Sequence, residues 1–291
     1  MMGRALGWSV ALAALVGLVG CGAGDDGGEE SGGPQVCNGH AELCDRHFDE
    51  VAFPGTHNSM SSEDDGWAVP NQIHGIARQL EDGIRVFLID THEDKGELYL
   101  CHSACMLGEI PLGDALGLYE KFLTQHPNEL ITLIIEDHIT AEQTAAAFDA
   151  SGLTKFAYVH PEGAGFPTLR EMIASGKRLL VTAESGGPPP DWYQNAYQSL
   201  TWDTPYSFKT PADFSCALNR GKVTNPLFLL NHWLEDPFAS EEKSAEANAY
   251  ELLYGRAKQC WDESGRIPNF VAVNHYSVGE LFRVVDSLNG L

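Results

Sequence analysis

The sequence predicts an α/β fold, a TIM-like (β/α)8 barrel in a single domain, on three observations. Eight short apolar or β-branched runs recur along the chain. Segments of helical pattern separate them, and strands alternating with helices argue for a parallel sheet. Residues 37–291 supply about 255 residues, close to the ~250 of one such barrel, and leave no room for a second domain. An open doubly wound sheet is the alternative assembly of the same units.

The chain begins with Arg4 and an apolar run from Trp8 to Gly20, and no acidic residue precedes Asp25. A bilayer span needs about 20 apolar residues, so residues 1–20 read as an export signal. Leu18-Val19-Gly20-Cys21 resembles the bacterial lipobox. That resemblance implies cleavage before Cys21, its lipidation, and an exported lipoprotein held on a membrane in a periplasm or at a cell surface. An ordinary signal peptide with an incidental cysteine is the alternative. Residues 21–36 are Gly-rich and acidic with almost nothing apolar, which predicts a flexible tether.

The predicted strands are Phe48–Phe53, Ile84–Ile89, Glu97–Leu100, Leu130–Ile135, Arg178–Thr182, Leu200–Trp202, Leu227–Leu230 and Asn269–Val273. Leu112–Gln125 and Ala141–Ala150 carry helical patterns between them. Polar residues gather just past the apolar runs: His57, His92, His102, His138, His232 and His275, with Asp90, Glu136, Glu184 and Asn231 beside them. In a barrel, that end of the strands carries the active site. Polar residues also begin wherever strands end, which explains any one of them alone. The predominance of histidine and carboxylate favours a site.

Of seven cysteines, six remain once Cys21 is set aside, an even count that favours disulfides in an oxidising compartment. The short spacings suggest Cys37 with Cys44 and Cys101 with Cys105, leaving Cys216 with Cys260. Zinc at Cys101 and Cys105 with His102 is the rival. Without residues 1–20 the chain carries 17 basic and 41 acidic residues, a net −24. Such a surface repels nucleic acid and offers anionic lipid no general attraction, so a phosphate would need a local cation. No protein partner is indicated.

The strongest local signal is Phe53-Pro54-Gly55-Thr56-His57-Asn58-Ser59, followed by Gln79-Leu80-Glu81-Asp82-Gly83-Ile84-Arg85. With Leu100-Cys101-His102-Ser103-Ala104-Cys105, His126-Pro127-Asn128-Glu129, Pro167 to Ile173 and Pro268-Asn269-Phe270, these segments resemble the phosphatidylinositol-specific phospholipase C X domain and its bacterial and fungal phosphodiesterase relatives. The resemblance spans about residues 45–291 and implies a TIM-like barrel. It also implies that His57 and His102 are the acid–base pair, one taking a proton from an attacking hydroxyl and the other giving one to the leaving oxygen.

By the same resemblance, Asn58, Asp90 and Glu136 match the oxygen ligands of a divalent cation, Ca2+ first and Mg2+ next. An unpaired Asp90 near a phosphate would repel it, and a cation between them removes the conflict. Period-2 alternation puts Leu88 and Asp90 on one face. Leu88 stands where calcium-dependent members carry a second acid, and Asn274 stands where many relatives show Asp, so the site departs from the pattern twice. Arg85, His92, His138, Glu184, His232, Trp233, Asn274 and Tyr276 are candidates to support these groups or to line the pocket. The expected function is a phosphoric diester hydrolase acting on phospholipid or another phosphodiester. Glycerophosphodiester hydrolysis is disfavoured by His57-Asn58-Ser59 in place of His-Arg-Gly. A barrel that only binds its ligand is the non-enzymatic reading.

Overall fold

The computed structural model describes residues 33 and 35–291. The export signal, Cys21 and the greater part of the 21–36 segment lie outside the described residues. Among the described residues no helix is long and apolar enough to cross a membrane.

In chain order the elements are β1 (Phe53–Thr56), α1 (Ile76–Asp82), β2 (Val86–Asp94), β3 (Glu97–Leu100), β4 (Ile110–Pro111), α2 (Leu112–Gln125), β5 (Ile131–Asp137), α3 (Ala141–Ser151), α4 (Leu169–Ser175), β6 (Leu179–Ala183), β7 (Tyr193–Asn195), β8 (Thr201–Asp203), β9 (Leu227–Asn231), α5 (Glu241–Ala247), α6 (Tyr250–Ser264), β10 (Phe270–Val273) and α7 (Leu281–Asn289). Eight strands form one parallel sheet in the order β7-β6-β5-β2-β1-β10-β9-β8. Its two end strands, β7 and β8, are consecutive in the chain and joined by only five residues, Ala196–Leu200. A flat sheet of eight strands would part them by about 34 Å. Five residues reach roughly 20 Å at most. The sheet therefore curls into a TIM-like barrel, open along the β7/β8 seam, where no ladder joins the end strands.

Period-2 alternation sorts each strand between two apolar layers. Val86, Leu88, Ile134, Leu180, Leu229, Phe270 and Ala272 pack together inside the curl. Phe87, Ile89, Leu133, Ile135, Val181, Leu230, Val271 and Val273 pack outward against helix residues such as Leu116, Tyr119, Leu253 and Val284. Continuing each inward row by two residues leads from Leu88 to Asp90, from Ile134 to Glu136, from Leu229 to Asn231 and from Ala272 to Asn274. The barrel thus changes from apolar to polar at its C-terminal end.

Three sequence expectations change. Phe48–Phe53 is not a strand. Phe48–Glu50 forms a 3-10 turn in which the Glu50 carboxylate accepts from His47 N at 3.2 Å, and the strand begins only at Phe53. Phe48 instead stacks with Phe53 and Phe166 at 5.0 and 5.3 Å and plugs the barrel floor. Glu97–Leu100 is no barrel strand either. It pairs antiparallel with the end of β2, Thr91 opposite Leu100, through the two-residue turn Lys95-Gly96. Both turn residues have positive φ, 52° and 86°, as tight hairpins require. The eighth barrel strand is β7, three residues long and absent from the predicted set. Three disulfides join Cys37 to Cys44, Cys101 to Cys105 and Cys216 to Cys260, which leaves Cys101 and Cys105 no thiolate for zinc.

Candidate active site

A pocket of about 390 Å3 opens at the polar end of the barrel, and both His57 and His102 line it. Their delivery follows from register. Thr56 is paired with Val273, so the next residues of β1 and β10, His57 and Asn274, emerge side by side. Asp90 is paired with Glu136, which sets two carboxylates on neighbouring strands. The β2–β3 hairpin then carries the chain back over β2. Cys101 N donates to Asp90 O at 3.2 Å, and His102 returns to the residue from which the hairpin departs.

His57 Nδ1 donates to Asn274 Oδ1 at 2.9 Å, and its ring stacks on Trp233 with centroids 3.9 Å apart and planes 6° from parallel. Burial pushes the imidazole down to about 3, against the Asn274 hydrogen bond, which raises it. The side chain keeps 17% exposure toward the pocket, and the ring is neutral at neutral pH. His102 is driven the other way. Its Nδ1 donates to Asp90 Oδ2 at 2.8 Å, and that bond raises the imidazole above its ordinary value, against partial burial. Asp90 is only 4% exposed. Burial lifts its carboxyl even though the His102 bond pulls it down, and nearby Glu136 adds to the lift. Among the described residues, neither His57 Nε2 nor His102 Nε2 has a hydrogen-bond partner.

The remaining wall is mostly acidic. His138 Nε2 donates to Glu136 Oε1 at 2.8 Å and stacks on His92 at 4.3 Å. His92 lies behind His138, outside the pocket lining, with its own Nε2 buried and unbonded. Asn58 Nδ2 donates to Asn71 Oδ1 at 3.2 Å, which leaves the Asn58 amide oxygen without a partner. Glu235 accepts from Asn274 Nδ2 at 3.2 Å and from Asn71 Nδ2 at 3.4 Å. Opposite stands Arg220, bound to Asp203 Oδ2 by Nε at 2.9 Å and Nη2 at 2.6 Å, and to Glu184 Oε2 by Nη1 at 2.5 Å. Its guanidinium also lies over the Tyr197 and Tyr206 rings at 4.3 and 5.2 Å.

The structure therefore brings His57, Asn58, Asp90, His102, Glu136, His138, Glu184 and Trp233 to one pocket, with Asn274 bonded directly behind His57. Besides His92, four expected residues stand elsewhere. Arg85 sits at the opposite end of β2, paired with Glu129 at 2.7 Å, because it precedes the strand rather than following it. His232 is fully buried, donating from Nε2 to Ala247 O at 2.8 Å and accepting from Arg256 Nη1 at 3.1 Å. It directly follows Asn231 and so turns to the outer face. Tyr276 donates to Asp82 Oδ2 at 2.8 Å, and His275 is bonded to Ser244 at 2.9 Å. The sequence reading missed Asn71, Arg220 and Glu235. Glu235 had a faint signal, two residues beyond Trp233 after an apolar strand. Arg220 had none, since it lies in the long connection between β8 and β9.

A curled parallel sheet with two histidines at its C-terminal mouth defines a TIM-like barrel with a paired-histidine site. The PI-PLC X 1 family model matches residues 43–289, and the chain belongs to that family. The PI-PLC X domain-containing protein 1 of Arthroderma benhamiae is 29% identical over 286 residues, covering 88% of this chain and 90% of its own. A protein of the same fungus described as an uncharacterized secreted protein is also 29% identical, over 88% of this chain and 64% of its own. Among solved structures, the phosphatidylinositol-specific phospholipases C of Listeria monocytogenes and Staphylococcus aureus share the fold. Their TM-scores are 0.54 and 0.59 at 17% and 15% identity, over 85% and 83% of this chain and 94% and 93% of theirs.

Proposed function

We propose that the chain is a phosphoric diester hydrolase of the phosphatidylinositol-specific phospholipase C type, with His57 as general base and His102 as general acid. One observation carries this reading: two histidines line one pocket, each anchored at Nδ1 and each with Nε2 unengaged. Their surroundings push their proton affinities apart, which is the pattern of an acid–base pair. Neutral His57 takes the proton of the attacking hydroxyl, the inositol 2-hydroxyl in a phosphatidylinositol. The hydroxyl oxygen bonds to phosphorus while the bond to the glycerol oxygen breaks. Protonated His102 gives that oxygen its proton, releasing diacylglycerol and leaving a cyclic phosphate. Trp233 and Asn274 hold the His57 ring in plane, and Asp90 aims His102.

The proposal includes a divalent cation, Ca2+ or Mg2+, and the acidity of the pocket wall is what speaks for it. Asp90, Glu136, Asp137, Glu184 and Glu235 line it against one guanidinium, Arg220, whose charge Asp203 and Glu184 already offset. A phosphodiester entering such a wall needs added positive charge. Asp90, Glu136 and Asn58 each retain one oxygen without a partner, an all-oxygen set suited to a hard cation. Among the described residues no three His, Cys, Asp or Glu side chains are arranged to hold a metal, so the set depends on the Asn58 amide and on water. When bound, the cation would stabilise charge on the phosphoryl oxygens. Export completes the reading, supported by the three disulfides and by a relative described as secreted; anchoring at Cys21 rests on the lipobox resemblance alone.

The test is turnover of phosphatidylinositol and glycerophosphodiesters by the purified protein, with EDTA or with added Ca2+ or Mg2+. Phosphatidylinositol cleavage that His57→Ala and His102→Ala each abolish is expected. Full rate in both variants would remove the acid–base pair, and activity unmoved by chelation would remove the labile cation. Binding without turnover of any substrate would favour the non-enzymatic barrel.

A further inference from the structure

We infer that Glu235 supplies His57 with its negative charge through Asn274, a carboxylate–amide–imidazole chain in which Glu235 is a positioning residue. The inference rests on the acid–base reading of His57 and adds a residue to it. Asn274 is neutral, and an amide alone can orient an imidazole but gives its protonated form no counter-charge. The chain of bonds runs past it. His57 Nδ1 donates to Asn274 Oδ1 at 2.9 Å, and Asn274 Nδ2 donates to Glu235 Oε1 at 3.2 Å. The direct separation from His57 Nδ1 to Glu235 Oε1 is 3.9 Å, too long for a hydrogen bond but close for a charge.

The amide orientation is fixed from two sides. Asn71 Nδ2 donates to Asn274 Oδ1 at 3.3 Å and to Glu235 Oε1 at 3.4 Å. Rotating the Asn274 amide by half a turn would set its NH2 against the NH2 of Asn71 and its oxygen against the Glu235 carboxylate. Asn71 is itself held, because its Oδ1 accepts from Asn58 Nδ2. One arrangement therefore serves Asn71, Asn274 and Glu235 together, and it leaves Asn274 Oδ1 as the acceptor for His57 Nδ1–H. That tautomer presents a bare Nε2 to the pocket, as a general base must. Backbone anchors keep the two segments in place. Asn248 Nδ2 donates to Asn274 O at 2.9 Å, and Glu235 N donates to Phe208 O at 2.9 Å. Among the described residues Glu235 has no Lys or Arg partner; its carboxylate accepts from Asn274 and Asn71, and its charge also acts on His102 across the pocket. Glu235, in the loop after β9, thus reaches His57 with one amide between them.

Glu235→Gln, Glu235→Leu, Asn274→Asp and the double variant Glu235→Gln/Asn274→Asp test this in the full chain. Glu235→Gln keeps the shape and removes the charge. It is expected to lower kcat about 10- to 100-fold with KM within about twofold and the melting temperature unchanged. In the double variant the carboxylate introduced at position 274 contacts His57 directly, and recovery to within about threefold of wild type is expected. A merely structural Glu235 would show no such rescue. Asn274→Asp alone gains nothing, because it sets two carboxylates together. Long-range 1H–15N spectra of His57 give a readout free of turnover: one Nδ1–H tautomer in wild type, and a mixture in Glu235→Leu, which frees the Asn274 amide to rotate. Full activity in Glu235→Gln, or a folded double variant without recovery, overturns the relay. If the wild type cleaves no phosphodiester, the acid–base reading falls. The spectra then decide the relay alone, and an unchanged Nδ1–H tautomer in Glu235→Leu overturns it.

Discussion

His102 donates from Nδ1 to Asp90 Oδ2 at 2.8 Å, although twelve residues and a complete β-hairpin separate the two in the chain. The bond ties an imidazole that is 45% exposed to a carboxylate that is almost wholly buried. Asp90 pays for that position in desolvation, and the balance between its cost and its use can be measured.

Asp90→Asn keeps the side-chain shape and removes the buried charge. Activity on any phosphodiester cleaved is expected to fall about 100- to 1,000-fold, because His102 loses the partner that raises its proton affinity. Stability is expected to hold or rise, since burial penalises the ionised carboxyl. Parallel assays and thermal melts check both directions. A large fall in melting temperature would contradict the account of the buried charge.

Under the proposed acid–base roles, the pH dependence of kcat/KM follows from the opposed histidines. The base must be neutral, and burial lowers His57, so activity on the acid side is lost only well below the ordinary histidine value of 6.5. The acid must be protonated, and Asp90 raises His102, so the alkaline loss begins above 6.5. A bell with limbs on both sides of 6.5 is expected at fixed cation concentration. In Asp90→Asn the alkaline limb moves to lower pH.

His232 links stability to acidity. Burial pushes this histidine from 6.5 down to about 3, with the Arg256 charge adding to the shift. Between those values the unfolded chain binds a proton that the folded chain refuses. Stability therefore falls as the pH drops through 6.5, by about 2 kcal/mol at pH 5. His232→Gln is expected to be less stable at pH 7 and to lose less between pH 7 and pH 5, as denaturant titrations at the two pH values would reveal.

Arg220→Gln removes the counter-charge of Asp203, whose side chain has no exposure, and of Glu184. Breaking such a buried pair from one side costs about 3–5 kcal/mol. Arg220→Lys keeps the charge but loses the forked contact and falls between the two. Chemical denaturation ranks the three proteins.

The sequence by itself determined the class of the fold and supplied the candidate groups that the pocket gathers. Strand and helix periodicity, chain length and the motifs around His57 and His102 are local signals, and the structure keeps them together at one end of a barrel. Period 2 placed Leu88 and Asp90 on one face, and both line the pocket. Tertiary structure decided what depends on neighbours remote in sequence. The pattern of Glu97–Leu100 predicts a barrel strand, yet it folds back on β2, because the same alternation serves a hairpin arm and a barrel strand alike. Arg85, His232 and Tyr276 lie near strand ends, but the end or face they occupy is set by strand direction and by packing against Glu129, Arg256 and Asp82. The opposed proton affinities of His57 and His102 have the same origin. Identical side chains acquire opposite proton affinities because one is buried beneath Trp233 and the other leans on Asp90, and neither burial nor charge proximity is written in the spacing of residues along a chain.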